Sequence, residues 1–496
     1  MSKRKNLLGF VFVTFIVLLT ASSASATTVM VGGKPLTFFG QFSQSIQYGW
    51  HDDFDTYYGI NSAITTLIAE GDYKPAENVK LYTMLFLSGD SAYYLRSGDK
   101  WQERGFQRSA SNNAWDTDWY QVLKELHVTW TPGDFLLRAG KQIISWGELL
   151  GVRVLDVINP SDGHRGPADI EFETSIVPVW MLRADYRLPY TSSLFSEINL
   201  QFFYDPRADK AIYTTGPNGT DWGGIWFPYI AVSPGVLVGS QNVNLHHSDG
   251  WTDPTIGFRI QGKIGDSLAS LNFLYGRDYT ALPQGAPTIA GAEPFGAVTV
   301  LHANSDTAFP IRRLIGGMFA TELSSIPRLN GMSSPMFRLE WLYAFQSTFL
   351  SPTYTVETHD NQKLAASLEV GMPIRILNPS AVFEFSLQYS LNRIAGIEDG
   401  FENGVTGTDG PVNQLNHMTV FSVSTSYFAA RLMPAIAWIQ DWTTHSSMAR
   451  VQASYTLRSD ITIIGAILWF EGSEPTRGFE VFDHKDYASL KVQFKF

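Results

Sequence analysis

The sequence predicts an all-β protein: a transmembrane antiparallel up-and-down β-barrel of about 18 strands, with 16 as the alternative count and long outer loops. Three observations predict it. Apolar and polar side chains alternate one by one in segment after segment. The body of the chain is rich in aromatics (14%) and poor in charge (17%), yet holds no long apolar run. The chain starts like an exported protein and stops on an amphipathic strand that ends in Phe496.

At the start, Lys3, Arg4 and Lys5 precede an apolar stretch over residues 7–19, and Ala24-Ser25-Ala26 follows the small-x-small cleavage rule. Residues 1–26 are expected to be a cleaved secretory signal, leaving residues 27–496 as the barrel. The apolar stretch falls short of the roughly 20 residues a spanning helix needs. With no Cys in the chain, disulfides and thiol chemistry are excluded. Without the three signal cations, 33 basic side chains face 47 acidic ones, a net of −14, which argues against a nucleic-acid partner.

The alternation is explicit. In "VFEFSLQYSLN", Phe383, Phe385, Leu387, Tyr389 and Leu391 share one face, and Glu384, Ser386, Gln388, Ser390 and Asn392 the other. "FRLEWLYAFQ", "KLAASLEVGM" and "WMLRADYRL" read the same way. Segments of this kind centre near residues 42, 65, 83, 126, 140, 182, 201, 259, 272, 317, 341, 368, 387, 422, 437, 452, 466 and 491. Each is about as long as a tilted membrane strand requires.

Connections test the count. If both chain ends face the periplasm, short inner turns must alternate with long outer loops. Short links follow strands 2, 4, 6, 8 and 12, and long ones follow strands 3, 5, 7 and 9. Two links fit poorly: the outer one after strand 15 is short, and "SSIPRLNGMSSP" is long for an inner turn. Tyr48, Trp50, Tyr57, Tyr58, Trp130, Trp180, Trp442 and Trp469 gather near strand ends, as in the aromatic girdles of membrane barrels. In the last strand, Phe494 and Phe496 have the form of an assembly signal, which makes the barrel-assembly machinery and outer-membrane lipid expected partners.

No phosphate cradle, thiol pair or metal-binding helix motif appears, so no catalytic residue, metal or cofactor is expected. His246, His247 and Asp249 form the one close His/Asp group, in the longest outer loop, where a solvated loop is the simpler reading. The polar strand faces say more. They place Glu125, Arg138, Arg183, Asp185, Arg187, Glu197, Arg259, Lys263, Arg338, Glu340, Lys363, Glu369, Glu384, Lys491 and Lys495 toward a water-filled lumen. Charges there cost little and set selectivity, while Arg–carboxylate pairs stiffen the wall. Their basic excess leans toward anions or amphiphilic acids.

Residues 140–166, "GKQIISWGELLGVRVLDVINPSDGHRG", concentrate the remaining charge. The first part reads as the end of strand 5, with Trp146, Gly147 and Glu148 at the junction, and the rest as the third outer loop. Leu149, Leu150, Val154, Leu155, Val157 and Ile158 are too apolar for an exposed loop, so this loop is expected to fold into the lumen. Glu148, Arg153, Asp156, Asp162, His164 and Arg165 then become candidate pore-constriction residues rather than catalysts.

Gly140, Lys141, Gln142, Trp146, Gly147, Glu148, Asn159 and Pro160 make up a Gly-Lys-Gln strand, a Trp-Gly-Glu junction and a later Asn-Pro. This pattern resembles a proteobacterial outer-membrane porin-like family catalogued as a domain of unknown function. The resemblance implies an outer-membrane barrel. It also implies movement of hydrophobic or lipid-like molecules with a periplasmic carrier or exporter and inner-membrane partners.

The expected location is the outer membrane of a Gram-negative cell. The leading expectation for function is a channel for passive passage of small polar or anionic solutes, and not an enzyme. The alternatives are a conduit for lipid-like molecules and a structural sleeve around a protein such as a multihaem cytochrome. Oligomeric state is left open.

Overall fold

The computed structural model of the protein describes residues 26–50, 58–92, 122–149, 151–161, 175–206, 236–246, 253–295, 298–326, 331–407, 410–472, 477–482 and 485–496. Residues 1–25, and with them nearly all of the expected signal, lie outside it. Eighteen long strands form the barrel. They are β1 (Lys34–Gly49), β2 (Ile64–Ala76), β3 (Val79–Asp90), β4 (Leu123–Trp130), β5 (Phe135–Gln142) and β6 (Val179–Arg187). Next come β7 (Phe195–Asp205), β8 (Thr255–Ile264), β9 (Ser267–Arg277), β10 (Ile311–Glu322), β11 (Met336–Leu350) and β12 (Val356–Met372). The last are β13 (Phe383–Ile394), β14 (Leu415–Ser424), β15 (Leu432–Asp441), β16 (Ser446–Arg458), β17 (Ile461–Glu471) and β18 (Tyr487–Lys495).

Each strand pairs antiparallel with the next, and β18 pairs with β1 over Gln41–Lys495 to Gly49–Tyr487, so the sheet closes on itself. Closure leaves no free edge and satisfies the backbone inside hydrocarbon. Phe496 completes the seam. Its N–H donates to the Gly40 carbonyl at 3.0 Å, and Gly40 N–H donates back at 2.9 Å. The Phe496 ring lies over Gly40, where a Cβ would come within 2.8 Å of it. Below the seam, Thr27–Val31 takes the place beside Lys34–Phe38 that β18 has vacated.

Burial is inverted relative to a soluble sandwich. Leu85, Leu87, Trp130, Leu182, Phe202, Leu364 and Leu387 are exposed, whereas Ser88, Thr129, Asp185, Gln201, Asn272, Glu340 and Gln388 are buried. Alternation therefore puts the apolar face toward lipid and the polar face inward. Tyr48, Trp50, Tyr58, Trp130, Trp442 and Trp469 are exposed near strand ends, as expected of girdles; Tyr57 lies outside the described residues.

Every expected strand centre falls inside a barrel strand. Two details differ. Strand β5 ends at Gln142, not at Trp146, because side chains from the following loop take over its backbone groups. The fourth and fifth outer loops contribute strands of their own: Val236–His246 pairs in parallel with Val298–Ala308, which also pairs with Leu282–Pro283 and Thr288–Phe295, giving a separate four-stranded sheet.

Candidate functional site

The third outer loop is held at its base by two side chains. Asn159 Oδ1 accepts Ile144 N–H at 2.8 Å, while its Nδ2 donates to the carbonyls of Gln142 (3.2 Å) and Val177 (3.1 Å). Asp156 Oδ1 accepts the Ser145 hydroxyl (2.7 Å) and the N–H groups of Trp146 and Gly147 (both 2.9 Å), and Arg153 approaches Oδ2 at 3.5 Å. These bonds end the β5 ladder and fold the segment back on itself.

The far end of the loop is fixed to the opposite wall. Glu340 of β11 accepts four backbone N–H groups: Glu148 (2.6 Å) and Leu149 (3.0 Å) on Oε1, Val154 and Leu155 (both 3.1 Å) on Oε2. Gln388 of β13 accepts Gly151 N–H at 3.1 Å and donates to the Val152 carbonyl at 2.6 Å. Arg312 of β10 donates to the Val157 carbonyl at 2.9 Å. At Gly151 a Cβ would come 2.8 Å from Gln388 and 3.2 Å from Val420 of β14. From β5 to β14 is half the circumference of the barrel. A segment that touches both walls must pass through the lumen, as the apolar loop sequence leads one to expect.

An apolar underside anchors the loop. Trp146, Leu149, Val154, Leu155 and Ile158 are buried against Val179, Met181, Phe203, Leu274, Leu314, Met318 and Leu342, all from inward faces of the strands. Trp146 and Phe203 rings stand 5.7 Å apart, and Trp146 Nε1 donates to Gln201 at 2.8 Å. Gly316 leaves room for Leu155, whose Cδ2 a Cβ there would approach to 2.7 Å. Burying each such large side chain contributes roughly 1.5–3 kcal/mol.

Charged side chains line the inner wall beside the loop. Arg138 of β5 and Arg183 of β6 face each other in register, and Arg259 of β8 faces Gln201. Arg183 grips Asp185 through Nε (2.6 Å) and Nη2 (3.0 Å), and Asp185 also accepts from Gln201 at 2.7 Å. Glu148 is exposed, and it and Asp156 lie close enough to Arg259 to act on its charge. Elsewhere on the inner wall, Arg338 pairs with Glu369, Lys263 with Glu197 at 2.6 Å, and Glu125 approaches His127 at 3.6 Å. Glu384 lies beside Gly371. Arg187 continues the inward row of β6, and Lys491 that of β18 opposite Ser45.

Asp162, His164 and Arg165 lie outside the described residues, as do Leu150, His247 and Asp249. Sequence reasoning did not single out Gln201, Gln388 or Arg312. Neutral amides carry no charge signal, and in "IRRL" nothing marks Arg312 as the inward arginine. The apolar residues on inward faces were the legible hint, since each breaks strict alternation.

Fold and loop together define a transmembrane β-barrel with a loop folded into its lumen. A family described as "Protein of unknown function (DUF1302)" matches residues 90–214, which hold β4 to β7 and the inserted loop. No curated protein sequence matches this chain. Among solved structures, OccAB3 of Acinetobacter baumannii is similar at 8% identity and TM-score 0.47, over 94% of this chain and 100% of that one. OpdK of Pseudomonas aeruginosa, solved with vanillate, is similar at 9% identity and TM-score 0.46, over 93% and 98%. An anion-selective porin from Comamonas acidovorans is similar at 11% identity and TM-score 0.37, over 93% and 100%.

Proposed function

We propose that the protein is an outer-membrane channel for passive passage of small polar or anionic solutes, with the third loop as its constriction. The observation that carries this reading is the loop crossing the lumen, clamped by Glu340, with its Glu148 and Asp156 beside Arg259, which stands on the same wall as Arg138 and Arg183. A narrow passage bordered by fixed arginines raises the local anion concentration and discriminates by size. The same loop occupies space that a protein threaded through the barrel would need, which weighs against the sleeve. Phe494 and Phe496 are assigned to recognition by the assembly machinery, and residues 1–26 to export.

Single-channel recording in planar bilayers tests the reading. Deleting residues 149–162 should leave an assembled barrel, because the strand ladders are untouched, and should raise conductance. Reversal potentials in a KCl gradient should report anion preference in the intact protein. Equal conductance with and without the loop refutes the constriction.

A further inference from the structure

Above the inserted loop, on its outer side, lies a cavity of about 620 Å³. Its floor is loop residues 156–161, its wall the inward faces of β10 to β13, and its roof comes from the fifth and seventh outer loops. We infer that this cavity is a binding site for a compact organic carboxylate with an apolar body. The inference rests on the channel reading and names the solute class the vestibule selects.

The cation is Lys363. In the sheet register it stands between Leu342 of β11 and Asn392 of β13. Among the described residues it has no ion-pair partner, whereas Arg312 in the same cavity is committed to the carbonyls of Val157 and Arg277. A half-buried ammonium with no acidic partner is available to an anion that enters the cavity.

The amides point the same way. Among the described residues, Asn361 Oδ1, Asn392 Oδ1 and Arg312 Nε are buried without a hydrogen-bond partner. All three belong to cavity-lining residues. With each Oδ1 turned into the wall, the NH2 group is the end each amide offers the cavity, which suits a carboxylate oxygen. The cavity's own acids do not compete for Lys363 by pairing with it. Asp156 Oδ1 is filled by Trp146 and Gly147 N–H, and Asp278 Oδ1 by the N–H groups of Tyr279 (2.7 Å) and Thr280 (3.2 Å).

The remaining lining sets the rest of the ligand. Phe349, Ile394 and Val412 pack into one apolar cluster beside Lys363, with Leu314 and Leu342 on the other side. An inorganic anion leaves that surface uncovered, and a sugar lacks the charge. An acid with a ring or short branched chain satisfies both.

Benzoate is the probe, titrated into the full barrel in detergent micelles by calorimetry, with acetate and benzamide as comparison ligands. Benzoate should bind at least tenfold tighter than either. Lys363→Gln should weaken benzoate about tenfold to a hundredfold, the scale of a lost hydrogen bond to a charged group. Lys363→Arg should restore most of it. Heat-modifiable migration on gels confirms that each variant is a folded barrel. Equal benzoate binding by wild type and Lys363→Gln overturns the site, as does acetate binding as tightly as benzoate. KCl conductance separates the two readings. A conducting barrel without selective benzoate binding refutes the site alone. A non-conducting barrel with Lys363-dependent binding refutes the channel alone.

Discussion

Glu340 and Leu155 are 185 positions apart in sequence and 3.1 Å apart in space, carboxylate to backbone N–H. The same carboxylate collects three more N–H groups from the loop, so one fully buried side chain holds both arms of its turn. Replacing it with Gln keeps the shape but turns an NH2 group toward two backbone donors. Each lost charge-assisted bond costs about 1.5–3 kcal/mol. Glu340→Gln should leave the barrel assembled while making the loop cleavable by trypsin at Arg153 and the open-channel current noisier. A loop as resistant as wild type refutes the clamp.

Trp146 anchors the other half of the loop through Phe203 and Gln201. Removing a buried aromatic costs about 3–5 kcal/mol. Trp146→Ala should lower the temperature at which the loop becomes protease-sensitive and leave the barrel's own melting unchanged. Parallel shifts of both transitions contradict a local anchor.

The arginine row should set ion preference. Among the described residues, Arg138 and Arg259 have no side-chain carboxylate bond, unlike Arg183, so replacing both with Gln strands no acid paired there. The double variant should shift the KCl reversal potential toward cations, with the permeability ratio changing by up to about tenfold, the lower end of the enrichment focused charge produces. An unmoved reversal potential excludes the row as the selectivity element.

Seam and permeation should separate. Deleting Phe496 removes both seam hydrogen bonds at Gly40 and the ring above it. The amount of heat-modifiable barrel in the outer membrane should fall, while the barrels that do assemble keep wild-type conductance.

Lys485, in the last outer connection, gives a pH dependence. Burial pushes its ammonium down to about 7 from 10.5. It is 2% exposed and lies 5.5 Å from the Phe482 ring. A lowered lysine value penalises the charged folded form: the penalty is full below about pH 7 and fades as pH rises toward 10.5. Hydrogen exchange of the Gly478–Phe482 turn should therefore slow between pH 7 and 9, beyond the intrinsic pH effect, and Lys485→Met should abolish that extra slowing.

The strands were legible because a membrane barrel faces two contrasting solvents, and period-2 alternation records both. The insertion of the third loop was legible too, from apolar residues such as Leu149 and Leu155 that no outer loop exposes. What holds that loop was not. Glu340 reads as one wall charge among many until the fold brings it against residues 185 to 192 positions upstream. Gln201 and Gln388 look like ordinary lumen amides, and pairing between Val236–His246 and Val298–Ala308 is a tertiary choice that short-range pattern does not encode.

The clamps on the third loop all come from chain that follows it: Gln201, Arg312, Glu340 and, 237 positions beyond Gly151, Gln388. The loop is fully seated only when β7, β10, β11 and β13 are all in place. Seating of the loop is then a late timestamp of maturation, readable as the moment the loop stops being cleavable.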